Sequence, residues 1–176
     1  LLILGTGPEE QKIKELVKTQ KNIHYLGYQS KENTISLIRG SDILIQPSLK
    51  EGISSTILES MACNTAVIAS NVGGNAELIE NNINGILVEL KETDSFIEQI
   101  TTLLNNVELR ESLETQALNM VKKYKSYCVN NWFDKLFIFL HYYPLKKPRA
   151  LYRALSYNFI NKSYSDATTF SATSAG

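Results

Sequence analysis

The sequence predicts an α/β fold in which a parallel β-sheet is covered by helices on both faces. Short apolar runs alternate with amphipathic segments of roughly ten residues, which is the pattern of a strand–helix repeat. The strands read as continuous apolar runs, as expected for parallel strands buried on both sides. In such sheets, ligands bind beyond the carboxyl ends of the strands.

The first elements are two strands separated by a helix. The apolar run at 1–4 predicts the first strand. Pro8 favours a helix start, because the first helical turn needs no amide donor from it, and apolar residues at helical spacing extend this helix to about Thr19. A short strand over 23–26 then ends at Gly27.

The middle of the pattern continues the alternation. A helix over 31–40 stops at Gly40, and the apolar strand 42–46 follows it. The next helix begins near Ser54, and a second strongly apolar strand covers 66–69.

The remaining elements complete the predicted fold. A helix passes through 76–79, and the turn at Asn84-Gly85 leads into the strand 86–88. Two amphipathic helices, over 93–105 and 107–124, end the pattern.

Charge and aromatic residues divide the chain near residue 122. Residues 1–121 hold 9 Lys and Arg against 16 Asp and Glu, whereas 122–176 hold 9 against 2. Most aromatic residues also lie from Tyr124 onward. We therefore predict a domain over 1–125, a C-terminal helix over 126–145, and a basic tail over 146–176 with a disordered end.

The overall composition narrows the function. The net charge is zero, so bulk charge does not indicate a nucleic-acid partner. No apolar run approaches 18 residues, so we predict no spanning helix. Cys63 lies in an apolar helix and is predicted to be buried, and two free thiols fit a cytoplasmic protein. His24 and His141 have no metal-ligand spacing, so no metal site is predicted.

The stretch from Ile45 to Ile68 organises the chain as strand, loop, helix and strand. Its loop contains Glu51 and Gly52, and its helix begins near Ser54 and carries Glu59 in the second turn. The loop lies at the carboxyl end of a strand, where a ligand cleft is expected.

This stretch has the residues to bind a diphosphate between two polyols. The helix should direct the amides of Ile53, Ser54 and Ser55 at the cleft, where they attract an anion. Glu51 is suited to accept hydrogen bonds from hydroxyl groups on one side, and Glu59 from those on the other. A sugar nucleotide has that layout. The alternative is that both are ordinary surface acids.

Glycines after the first strand form a second candidate loop. Gly5 and Gly7 would let backbone approach a phosphate or sugar, or would simply form a strand–helix turn. A nicotinamide dinucleotide site is disfavoured, because no third glycine follows near Gln11.

The run PSLKEGISSTILESMACNTAVIAS resembles the donor-binding signature of retaining glycosyltransferases of family 4, which have the GT-B fold. That signature reads approximately P-S-x-x-E-G-F-G-x-x-x-x-E-A-M-A-x-G-x-P-V-I-A. The flanking pieces LLILGTGP, NIHYLGY, GSDILIQPS, VGGNAELI and NGILV fit in order, so the resemblance covers about residues 1–125. It implies a Rossmann-like, sugar-nucleotide-binding domain that forms the C-terminal half of a GT-B fold.

The resemblance also implies residue roles. Glu51 matches the acid that contacts the donor sugar near the reacting centre and is the predicted catalytic residue. Glu59 matches the acid that holds the ribose hydroxyls. The remaining predicted donor-binding residues are Gly52, Ile53 and Ser54 at sugar and diphosphate, Ser55 and Thr56 near the phosphates, Gly27, Tyr28 and Gln29 at the base, and Gly5 and Gly7 beside the donor.

The family implies a reaction without a bound metal or other cofactor. Positive charge and the helix dipole stabilise the leaving diphosphate, and the anomeric configuration is retained. In the family, two parts lie upstream of the region that corresponds to this sequence, which begins at Leu1. They are the basic residues that clamp the diphosphate and the whole acceptor domain. We therefore expect this chain alone to bind donor weakly and to transfer no sugar to its glycan or lipid-linked acceptor.

This sequence departs from the family pattern at four places. The Phe-Gly that follows Glu-Gly is replaced by Ile53-Ser54, the Ala that follows the second Glu by Ser60, a Gly by Asn64, which still tolerates the left-handed conformation, and a Pro by Ala66. Two rivals stay open. One is a non-catalytic sugar-nucleotide-binding or interaction module, which the changes at Ile53-Ser54 and Asn64 favour and the intact Glu51 and Glu59 pair disfavours. The other is a GT-B-like sugar-nucleotide epimerase.

The tail allows two interpretations. Its aromatic segment 128–143 is too short to span a bilayer and could pack on the amino-terminal domain. The alternative is an anionic membrane surface at the inner face of the membrane, contacted by basic residues among aromatic ones. Those basic residues are Lys146, Lys147, Arg149, Arg153 and Lys162.

Overall fold

A computed structural model describes residues 1–90 and 92–125 of the chain. They fall into two compact units, Leu1–Ser36 and a second that begins at Leu37. The predicted helix over 126–145 and the basic tail over 146–176 lie outside the described residues. The boundaries predicted for these three segments stay predictions.

The amino-terminal unit is built on two parallel strands. The strand β1 (Leu2–Leu4) is followed by the helix α1 (Glu10–Lys18) and the strand β2 (His24–Gly27), after which the helix α2 (Lys31–Arg39) begins. β1 pairs with β2, and a register shift after Ile3 brings Leu4 opposite Gly27. α1 begins two residues later than predicted, because Pro8 and the residue after it form a turn.

The part of the second unit that the structure describes contains three strands and four further helices. Along the chain these are β3 (Ile43–Gln46), α3 (Ser55–Ala62), β4 (Ala66–Ser70), α4 (Asn75–Leu78), β5 (Ile86–Val88), α5 (Thr93–Asn105) and α6 (Val107–Lys125). The strands form one parallel sheet in the order β3-β4-β5. Ile43 lies opposite Ala66, and Ile68 lies opposite Ile86.

The core of this unit surrounds β4, whose residues are all buried. Because successive side chains of a strand point to opposite faces, both faces of β4 are covered. On one face, residues of the sheet form a cluster with α5 and α6 that includes Ile68, Leu103 and Leu113. α3 also packs against β4 and α6 and buries Ile57 and Met61 completely.

The predicted α/β class with parallel strands is confirmed, and the predicted strand–helix order is found throughout the described residues. Asn64, which follows α3, has φ 57°, and this is the left-handed conformation that asparagine tolerates at the end of a helix. In the part of the chain that the structure describes, no helix is long and apolar enough to cross a membrane.

Candidate functional site

The loop between β3 and α3, residues 47–54, is called the site loop here. It carries Glu51, which is half-buried and whose Oε1 accepts two hydrogen bonds. Ser48 Oγ donates one of 2.7 Å, and Gln46 Nε2 donates the other of 2.8 Å. No group in residues 1–90 or 92–125 donates to Oε2. The carboxylate is therefore fixed through one oxygen and has the other available for a ligand hydroxyl.

Gln46 connects this carboxylate to the start of α3. Its Nε2 lies 2.9 Å from Ser54 Oγ as well as 2.8 Å from Glu51 Oε1. Ser54 is the N-cap of α3, and its Oγ accepts a hydrogen bond of 3.4 Å from the Ile57 amide. One side-chain amide thus bridges the acid of the site loop and the helix cap.

The amino end of α3 has the donors that an anion requires. Within the described residues, the amides of Ser55 and Thr56 make no hydrogen bond. Ser55 is exposed and Thr56 is half-buried. Unpaired first-turn amides and the helix dipole both favour a bound phosphate. The predicted anion site therefore has free donors, and they follow directly after the cap that contacts Gln46.

A second loop, residues 71–74 after β4, packs against the backbone of the site loop. The Gly74 amide donates a hydrogen bond of 3.4 Å to the Glu51 carbonyl. A Cβ atom built on Gly74 would collide with the Gly52 carbonyl, and one built on Gly73 would collide with that of Glu51. The two loops, which follow neighbouring strands, therefore contact each other through the backbones of Glu51-Gly52 and Gly73-Gly74.

The other predicted residues of this region differ widely in exposure. Ile53 is 65% exposed and Ser54 is 5% exposed. Glu59 lies on α3 as predicted, but it is only 1% exposed. A contact between Glu59 and ribose hydroxyls would need neighbouring groups to move aside, and its role stays a prediction.

The remaining predicted residues belong to the amino-terminal unit. The Gly5 amide donates a hydrogen bond of 2.8 Å to the Gly27 carbonyl, so the structure brings these two together. Both have positive φ, 111° and 62°, which an L side chain rarely adopts. The backbone conformation therefore explains glycine at both positions without a ligand. Their contact with a donor stays a prediction. Gly7 is the first residue of the turn before α1, since its carbonyl accepts a hydrogen bond of 3.1 Å from the Glu10 amide.

The residues of this unit that are predicted to contact the base are partly accessible. Tyr28 is 79% exposed. Gln29 is half-buried, and its Nε2 donates a hydrogen bond of 2.7 Å to the Leu26 carbonyl while its Oε1 accepts one of 3.3 Å from Asn33. A large exposed aromatic side chain beside an ordered amide is suited to contact a planar ring.

Sequence reasoning missed the residues that hold Glu51. Gln46, Ser48 and the Gly73-Gly74 pair contact its side chain or backbone, yet none was singled out. One signal was available, because Gln46 is a polar residue at the last position of an apolar strand. No group of three or more potential metal ligands occurs among the described residues.

Comparison with known proteins gives the family. The family profile described as "Glycosyl transferases group 1" matches residues 1–120. The chain belongs to the group 1 glycosyl transferases. The matched residues contain the whole amino-terminal unit, the second unit up to residue 120, and the whole of the site loop.

Two solved structures have a similar fold. The C-terminal domain of a glycosyl transferase group 1 family protein from Francisella tularensis is 32% identical, with a TM-score of 0.57 over 69% of this chain and 61% of that one. HepE from Anabaena, solved with UDP, is 22% identical, with a TM-score of 0.62 over 69% of this chain and 35% of that one.

A curated relative has a named reaction. The N,N'-diacetylbacillosaminyl-diphospho-undecaprenol alpha-1,3-N-acetylgalactosaminyltransferase of Campylobacter jejuni is 31% identical over 115 residues, which is 65% of this chain and 30% of that enzyme. This group 1 chain spans about a third of the length of the curated relatives that it matches.

Proposed function

We propose that this chain is the donor-binding half of a retaining glycosyltransferase of family 4. It binds a nucleotide diphosphate sugar, and the full-length protein transfers the sugar to a glycan or lipid-linked acceptor. The observation that carries the proposal is the arrangement of the site loop. A carboxylate with one available oxygen and a helix end with free amides are joined by a single Gln46 side chain.

The two parts of this arrangement suit the two parts of the donor. Glu51 Oε2 accepts a hydrogen bond from a sugar hydroxyl, which orients the sugar at the reacting carbon. The amides at the start of α3 receive the diphosphate, and they stabilise the negative charge that grows on it as the glycosidic bond breaks. Retention follows if the acceptor attacks from the face that the leaving diphosphate occupies.

Three named proteins support this assignment. The Francisella structure is a C-terminal domain of the same family, HepE was solved with UDP, and the Campylobacter enzyme acts on a diphospho-undecaprenol compound. A UDP-sugar donor and a lipid-linked acceptor are therefore the first to test.

Glu59 requires a separate test within the same proposal. Its proposed role is to hold the ribose, but its side chain is almost fully buried. If Glu59 binds ribose, Glu59→Gln should weaken the binding of UDP itself. If it only supports α3, that substitution should change thermal stability and leave the affinity for UDP unchanged.

The proposed reaction uses no resident metal and depends on residues outside this chain. Transfer by the full-length protein should be unchanged in EDTA, whereas the isolated chain should bind donor weakly and transfer nothing. Measurable turnover by the isolated chain would contradict the second expectation.

The decisive experiment compares donors and then removes Glu51. A thermal-shift screen of UDP-, GDP- and ADP-sugars on the full-length protein identifies the donor. With that donor, Glu51→Ala should reduce transfer by about 100-fold or more, as for the loss of one hydrogen-bonding group at a reacting centre. The control is Glu15→Ala, which removes an exposed acid of α1 that also accepts side-chain hydrogen bonds. Product analysis separates transfer from epimerisation.

The proposed location is the cytoplasm, at the inner face of the membrane. It rests on the basic residues of the tail, which lie outside the described residues. Co-sedimentation with anionic liposomes tests it, because deletion of residues 144–176 should abolish binding. Equal binding with and without these residues would refute the membrane contact.

A further inference from the structure

We propose that Gln46 is a positioning residue for Glu51: it holds one carboxylate oxygen so that the other faces the donor sugar. This inference deepens the proposed function and rests on it. Gln46 donates to Glu51 Oε1 at 2.8 Å, and the Ser48 hydroxyl donates to the same oxygen at 2.7 Å. Both donors bind Oε1, so Gln46 and Ser48 together orient the carboxylate and leave Oε2 for a ligand.

The place of Gln46 in the fold suits this task. It is the last residue of β3 and lies opposite Ala69 in the fully buried strand β4. Its backbone is therefore fixed by the sheet, whereas Ser48 and Glu51 belong to the site loop. A functional side chain on a loop is positioned more accurately when its partner is on a rigid element. The contact with Gln46 therefore holds the Glu51 carboxylate in a fixed position relative to the sheet.

The same side chain also contacts the α3 cap. Its Nε2 lies 2.9 Å from Ser54 Oγ, and the Ser54 hydroxyl can in turn donate to Gln46 Oε1 at 3.2 Å. A half-buried amide that contacts both groups fixes the distance between the acid and the helix end. In the proposed function, the acid receives a sugar hydroxyl and the helix end receives the diphosphate.

A residue that acts through Glu51 has an energetic signature that a merely structural residue lacks. Most of the effect of its removal on affinity should require Glu51 and a ligand that carries the sugar. A double-mutant cycle measures this coupling. Gln46→Met keeps the length of the side chain and removes its donors. The other variants are Glu51→Ala and the double variant.

The measurement is the affinity of the full-length protein for UDP-glucose and for UDP, by titration calorimetry. Gln46→Met should weaken the binding of UDP-glucose about tenfold, as expected for one hydrogen bond to a charged group, and change the binding of UDP less than about threefold. In the Glu51→Ala background, where only the contact with Ser54 remains to be lost, Gln46→Met should change either affinity less than about threefold. An equal loss for UDP and UDP-glucose, or a tenfold further loss without Glu51, would overturn the proposal.

Gln11→Met is the matched control. Gln11 also donates to a glutamate, with Nε2 lying 3.0 Å from Glu15 Oε1, but on the exposed surface of α1. This variant should leave both affinities unchanged. A loss like that of Gln46→Met would show a general effect on stability and contradict the positioning role.

A crystal structure of Gln46→Met separates this inference from the proposed function. If wild-type protein binds neither UDP-glucose nor UDP, the donor assignment fails, but the position of Glu51 can still be compared. The inference requires the Glu51 carboxylate to leave its present rotamer in the variant. An unchanged Glu51 with an unchanged Ser48 contact would overturn it whatever the binding data show.

Discussion

The α-carbon of Gly74 packs so closely against the Gly52 carbonyl that a Cβ built on Gly74 would overlap with its oxygen and lie 2.8 Å from the Ile53 nitrogen. Gly74 also donates its amide to the Glu51 carbonyl at 3.4 Å. The loop after β4 therefore packs against the backbone of the loop after β3 and supports it. The neighbouring Gly73 has φ 47°, so this support depends on glycine both for space and for conformation.

We predict that Gly74→Ala destabilises the protein and displaces the site loop. The added methyl group meets backbone atoms, which cannot move aside as the end of a flexible side chain can. Overpacking of this kind costs about 1–3 kcal/mol, and the free energy of unfolding from urea denaturation measures it. The affinity for UDP-glucose should fall as well, because Glu51 lies on the displaced loop.

Gly7→Ala is the control for this prediction. Gly7 has no atom within 4 Å of a built Cβ, and its φ lies outside the left-handed range. Its effect on the free energy of unfolding should stay within about 0.5 kcal/mol, as for an ordinary surface substitution. If Gly74→Ala proved equally mild, the two loops would not be packed as closely as the structure shows.

The fold was predictable from the sequence because its strands and helices have local signals. Continuous apolar runs mark the parallel strands, and Ser54 before an apolar segment marks the start of α3. The contacts of Gln46 were not predictable, because they depend on how a loop folds back over a strand end. The burial of Glu59 was missed for a similar reason, since it results from the packing of α3 within the second unit.

The N-cap of α3 gives a second prediction. Ser54→Ala removes the hydroxyl that accepts the Ile57 amide at 3.4 Å and contacts Gln46 at 2.9 Å. Loss of an N-cap costs about 1 kcal/mol, and urea denaturation should show at least that loss because a partner of Gln46 is lost as well. Ser55→Ala, one residue into the helix and exposed, should have little effect on stability. Equal effects of the two variants would contradict the assignment of Ser54 as the cap.

Two asparagines with similar backbone conformation provide a third prediction. Asn64 and Asn82 have φ 57° and 62°, so alanine at either position costs about 1 kcal/mol for the left-handed conformation. Asn64 Nδ2 also lies 3.4 Å from Oε2 of Glu114, which is buried, whereas Asn82 is exposed.

Asn64→Ala should therefore be more destabilising than Asn82→Ala. The difference reports the loss of the amide beside a buried carboxylate, which costs about 1–3 kcal/mol. The two free energies of unfolding, measured under identical conditions, give it directly. A difference near zero would mean that the long contact between Asn64 and Glu114 contributes nothing.

The buried thiol of Cys63 makes stability depend on alkaline pH. The pKa of this thiol is raised to about 12 from an ordinary value of 9.0, mainly because the thiol is buried; the nearby Arg39 opposes the shift and Glu59 adds to it. Below pH 9 both the folded and the unfolded chain keep the proton, so Cys63 has no effect. Between pH 9 and about 12 only the folded state keeps it, so rising pH favours unfolding. The free energy of unfolding should therefore fall more steeply across this window in the wild type than in Cys63→Ala, which has no thiol to titrate.

A second measurement uses a Cys128→Ser background, in which Cys63 should resist a thiol reagent at pH 8 until urea unfolds the protein. Rapid labelling of the folded protein, or identical slopes with and without Cys63, would show that the thiol reaches solvent.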